Sequence, residues 1–150
     1  MNERLKSIVD LDKYPIHDLN SPIIKNLIKR CKQELDENSC STIPDFILPK
    51  SLEIMNQELE KQLDEVYMSK ESINAYLYAK DDPSLPKHHP KRTFMNRYNG
   101  YLNSDCFPKN SEMKFLYETE ELLKFVSACL GVSPIYRWAD PLACHAYNVM

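Results

Sequence analysis

The residues able to do chemistry are few and scattered. His88 and His89 stand side by side between prolines, an apparent metal motif. Adjacent side chains on a loop diverge, and no Asp or Glu is spaced to complete a ligand set, so the pair reads as exposed loop. Cys144–His145 pairs a thiol with an imidazole. Within a strand, neighbours point to opposite faces, so the two are expected not to meet and to play structural roles. Asp105–Cys106 reads the same way. Arg97, near Tyr98 and Tyr101, has the planar fork of donors that grips a carboxylate; its plain alternative is a surface arginine stacked on an aromatic ring. Asp140 precedes a proline, where a carboxylate either caps a turn or lines a site at a strand end. The sequence has no glycine-rich phosphate loop, no G-x-S-x-G elbow, and no H-x-D or H-x-E pair followed by a distant histidine.

These residues need elements to hold them. A chain of 150 residues, 43% hydrophobic and 27% charged, has the size and apolar content of one folded domain spanning 1–150. Two glycines are few for a complete barrel or sandwich, so helix and loop are expected to dominate. Ser21-Pro22 opens a helix with its apolar stripe on Ile24, Leu27, Ile28, Cys31 and Leu35. A second helix is expected over about 50–67, burying Leu52, Met55, Leu59, Leu63 and Val66. Thr119 caps a third that ends at Gly131, with Glu120 and Glu121 suiting its dipole. One helical turn is expected at 112–117. Strands are expected at 42–48, 73–79, 93–102, 135–138 and 142–150, the last reading as a buried-type strand that stops inside a sheet. Residues 1–19 show only short apolar patches and a turn at Tyr14-Pro15.

A net charge of -3 gives no electrostatic case for nucleic acid or an anionic membrane. No apolar run reaches the length of a membrane span or signal peptide, so the expected location is cytoplasmic. Five cysteines without C-x-x-C spacing indicate neither a disulfide framework nor a zinc site. Cys31 and Cys129 fall on apolar helical stripes and are expected to be buried free thiols.

Three segments, DLDKYPIHDLNSP (10–22), NAYLYAKDDPSLPKHHP (74–90) and IYRWADPLACHAYNVM (135–150), together resemble the N-terminal half of a bacterial family of iron(II)/2-oxoglutarate-dependent oxygenases. That family is related to free amino-acid hydroxylases and radical halogenases. The resemblance runs from about residue 9 to 150 and rests on the combination, since no single segment is a catalytic signature. It implies an α+β fold, with N-terminal helices packed on the first strands of an incomplete double-stranded β-helix (jelly roll). It further implies Fe(II) and 2-oxoglutarate as the full-length protein's cofactors, with the H-x-D-type segment expected beyond residue 150 and this chain inactive alone. Arg97 and Asp140 are the expected contacts to an amino-acid substrate, and Asn148 faces the cofactor pocket. Two rivals accompany this reading: a non-catalytic interaction domain, and a thiol enzyme using Cys144 or Cys106. The exposed C-terminal strand is the expected route of any self-association.

Overall fold

The computed structural model describes residues 2–142 and 144–149. Among these, the chain is α+β, with five α-helices and a three-stranded antiparallel sheet. The helices are α1 (Glu3–Ile8), α2 (Pro22–Asn38), α3 (Pro49–Glu60), α4 (Glu112–Glu118) and α5 (Glu120–Leu130). The strands are β1 (Tyr67–Asn74), β2 (Phe94–Asn103) and β3 (Ala146–Val149), in the order β1-β2-β3. No helix is long and apolar enough to cross a membrane.

The main core is helical. Leu5 and Ile8 of α1, Ile24, Leu27 and Cys31 of α2, Met55 of α3, Leu116 of α4, and Phe125 and Cys129 of α5 are buried together. Val9, Leu11, Tyr14 and Ile16, from the segment between α1 and α2, complete it. The N-terminal patches are therefore central to the core. Asn2 starts α1 by accepting from the backbone N–H groups of Arg4 and Leu5 at 3.2 and 3.3 Å. Arg4 ties α1 to the start of α4 by donating to the carbonyls of Asn110 and Ser111 at 2.5 and 3.3 Å.

Cys31 and Cys129 are buried and reduced, as their positions in α2 and α5 required. Burial, with the Cys31 thiol beside it, pushes the Cys129 thiol up to about 12. Gly131 ends α5 at φ +68, a left-handed value suited to glycine.

Several expected elements differ. Ser21 precedes α2, with Pro22 in its first turn, but makes no side-chain cap bond. Thr119 precedes α5, yet its hydroxyl donates back to the Phe115 carbonyl at 2.8 Å instead of capping. The expected strand at 42–48 reduces to one bridge, Val9 to Ile47, because Pro44 lacks an N–H and Asp45 sits at φ +56. The expected helix over 50–67 ends at Glu60 and gives way to a 3₁₀ turn, Leu63–Glu65, before β1. Its buried face is rotated: Ser51 and Met55 are buried, whereas Leu52 and Leu63 are exposed. Ser51 is fixed there by donating to the Ser7 carbonyl at 2.9 Å, which locks α3 against α1. The strand expected at 73–79 lies earlier, at Tyr67–Asn74, and 135–138 is irregular. The last strand begins at Ala146; Ala143 and Met150, within its expected span, lie outside the described residues.

Candidate functional site: the open face of the sheet

Side chains two apart along a strand share a face. Arg97, Asn99 and Tyr101 of β2 therefore point the same way, away from buried Leu102. In the register of β2 with β3, Tyr101 lies opposite Asn148, so Asn148 joins that face. From β1, Glu71 stands opposite Arg97 and Ser69 opposite Asn99. The other face carries Leu102 opposite Tyr147, whose ring lies 5.0 Å from that of buried Phe107. At the Leu102–Tyr147 end one face of the sheet thus packs inward, while Arg97, Asn99, Tyr101 and Asn148 form a polar row on the other.

The row is hydrogen-bonded within itself. The Arg97 Nη2 donates to the Tyr101 hydroxyl at 3.1 Å. With its side-chain oxygen toward Arg97, Asn99 accepts from Arg97 Nε and Nη2 at 2.5 and 3.1 Å and from the Tyr101 hydroxyl at 3.1 Å. The guanidinium is held in one orientation while staying exposed, and it forms no ion pair among the described residues. An open groove of about 620 Å³ at the β1–β2 pair is lined by Glu71 and Arg97 and by Lys70, Ser72, Asn96 and Tyr98, which alternation assigns to the sheet's other face. The exposed guanidinium, with Nε and Nη2 engaged by Asn99 and Tyr101, can meet the carboxylate of a small molecule through Nη1.

The three sequence-derived site residues divide. Arg97 and Asn148 lie on one face, linked through Tyr101. Asp140 lies outside the strands and is exposed, and its Oδ1 accepts from the Leu142 backbone N–H at 2.8 Å, so it does the work of a turn residue. Asn99 was the residue missed; its signal was the alternation Arg97-x-Asn99-x-Tyr101 inside a strand.

His88 is exposed on its loop. His89 caps the 3₁₀ turn Pro90–Arg92, its Nδ1 accepting from the Lys91 N–H at 3.2 Å. Iron(II) in an oxygenase takes two imidazoles and a carboxylate on one side. Among the described residues, no group of three His, Cys, Asp or Glu side chains is placed to hold a metal, so these residues do not fit that ion.

The expectation that Cys144 and His145 do not meet is overturned. Both precede β3 in a bend, where strand alternation does not apply, and the Cys144 Sγ lies 3.4 Å from His145 Nδ1. The His145 ring packs against Tyr117 and Phe107, at centroid distances of 6.0 and 6.1 Å. Its Nε2 is buried without a partner. Burial, then the charge of Lys114, lowers its pKa, opposed by Glu118.

Compared with family models, curated proteins and solved structures, the chain matches none.

Proposed function

We propose that this chain forms the substrate-facing wall of an iron(II)/2-oxoglutarate-dependent oxygenase acting on a small molecule of amino-acid type, by hydroxylation rather than halogenation. In this reading β1–β3 are opening strands of a jelly roll, and the helices are the front layer that supports them. In this reading the chain carries substrate-binding groups but, among the described residues, no set of metal ligands, and it is inactive alone. One observation carries the reading: Arg97, Asn99, Tyr101 and Asn148 line up on one face of an antiparallel sheet. Arg97 takes the substrate carboxylate. Asn148, which the resemblance aims at the cofactor pocket, extends the same row.

The test is an NMR titration of the full chain with a panel of free amino acids. Shifts confined to the amides of residues 97–101 and 146–149, abolished by Arg97→Gln and weakened by Arg97→Lys, are expected. Shifts elsewhere, or none at millimolar ligand, overturn the assignment. Incubation with iron, 2-oxoglutarate and the same panel should yield no succinate above a protein-free control.

A second reading rests on the sheet edge. Among the described residues β3 pairs only with β2, which leaves the backbone groups of its outer edge to solvent. Such an edge accepts a further strand. Under this reading the chain is a non-catalytic interaction domain that self-associates through β3, and light scattering should show a concentration-dependent dimer.

A further inference from the structure

We propose that Cys144 and His145 form a reactive thiol–imidazole pair whose partners are low-molecular-weight disulfides, making Cys144 a site of reversible S-thiolation. The geometry carries it. The Cys144 Sγ lies 3.4 Å from His145 Nδ1 and 3.7 Å from the Pro141 carbonyl, and the thiol is half-exposed. A thiol reacts through its thiolate, so a nearby base that takes the proton sets the rate.

No other described cysteine has this arrangement. Cys31 and Cys129 are buried. Cys40 is exposed, with no hydrogen-bonding partner for its thiol among the described residues. Cys106 lies 4.0 Å from the Asp105 carboxylate, and a carboxylate is a much weaker proton acceptor than an imidazole.

The surroundings fix the base. Phe107 and Tyr117 hold the ring in place. Lys114 and Glu118, both on α4, are the charges that act on it. Burial and Lys114 favour the neutral imidazole, which is the form that accepts a proton. Protonation would give the ring a second N–H while Nε2 stays buried and unpartnered, so the charged form is disfavoured.

In the reaction, the proton passes from Sγ to Nδ1 as Sγ attacks one sulfur of the disulfide. The disulfide bond breaks, a Cys144 mixed disulfide forms, and the departing thiolate takes the proton from Nδ1. One thiol and one disulfide become one mixed disulfide and one thiol, so no further oxidant is needed. This site is independent of the carboxylate-binding face: Arg97 and Asn148 take no part.

The probe is 5,5′-dithiobis(2-nitrobenzoate) on the full chain, with the labelled cysteine identified by peptide mass spectrometry. At neutral pH, Cys144 is expected to react at least ~10-fold faster than Cys40 or Cys106, below the usual range for an assisted proton transfer. His145→Phe keeps the ring packing and removes the base; it should abolish that advantage and leave the Cys40 rate unchanged. Should His145→Phe unfold the chain, seen as labelling of Cys31 and Cys129, the unsubstituted protein decides. Its Cys144 rate should rise with a midpoint below the ordinary histidine value of 6.5. Equal rates for Cys144 and Cys40, an undiminished rate in folded His145→Phe, or a single limb at ordinary thiol pH would overturn the proposal.

Discussion

Replacing Asn74 by alanine tests how the strand pair carrying Arg97 is anchored. Asn74 ends β1 and is 2% exposed. Its Oδ1 accepts from the backbone N–H groups of Tyr76 and Tyr78 at 2.9 and 3.1 Å, and its Nδ2 donates to the Lys91 carbonyl at 2.6 Å. These three bonds close the turn after β1 and pin the long connection to β2 against it. They also hold Leu77 at φ +64, a conformation that disfavours a leucine. Three bonds at roughly 1 kcal/mol each put the cost of Asn74→Ala near ~3 kcal/mol. In a chain of this length that lowers Tm by about 6–12 °C.

The comparison is Asp82→Ala. The Asp82 carboxylate also accepts from a backbone N–H two residues on, Ser84 at 3.1 Å, but on an exposed loop where water replaces it. Its loss should cost under ~0.5 kcal/mol. Urea titrations of both variants give the answer, with m unchanged. A loss below about 1 kcal/mol for Asn74→Ala, or equal losses for the two, would refute the view that burial is what makes the Asn74 bonds count.

Leu5→Ala, at a fully buried position of α1, should cost about 3 kcal/mol, whereas Ile23→Ala, at a 54% exposed position of α2, should cost under about 0.5, both read from urea denaturation. His145 titrates below its ordinary value, so the unfolded chain binds the extra proton first; stability gained from the neutral ring is complete above pH 6.5 and falls as pH drops toward the lower folded value. Midpoints measured across that window should fall with acid in the unsubstituted protein and fall less in His145→Phe. Cys129, with its thiol at about 12, should stay unlabelled by iodoacetamide at pH 8 for as long as the fold is intact, and react at the rate of global unfolding.

What could be read from the sequence follows from how many residues share the signal. α2 and α5 carry long amphipathic stripes with proline at one start and glycine at one end, and they form within a residue of expectation. α1 has only six residues, too few for a periodicity to register. α3 was misread by rotation. Leu52, Met55, Leu59 and Leu63 make an acceptable stripe, but the contact with α1 selects Ser51 and Met55, because the Ser51 hydroxyl reaches the Ser7 carbonyl there. That preference comes from tertiary packing, which local periodicity does not encode.

The site was legible to the extent that its residues sat inside a correctly assigned strand. Arg97 was placed in the strand that forms β2, but Asn99 was missed although alternation puts it on the same face; the β2–β3 register sets Asn148 opposite Tyr101, and it depends on where β3 begins. Cys144–His145 failed in the opposite direction. The rule that strand neighbours diverge is sound, but its premise was a strand starting at 142, and β3 starts at Ala146. The Ser104 N–H donates to the Leu142 carbonyl at 3.1 Å and the Ser104 hydroxyl donates to the Pro141 carbonyl, which fixes the turn before β3 and leaves 144 and 145 in a bend. A pairing judged impossible by periodicity becomes the closest thiol–imidazole approach among the described residues, because a few backbone bonds delay the strand. The reactivity expected of Cys144 is therefore a consequence of where β3 begins, and a Ser104→Ala variant, which removes one of those bonds, should slow Cys144 labelling without touching either residue of the pair. An unchanged Cys144 rate in a folded Ser104→Ala chain would separate the pair's geometry from the turn and defeat that account.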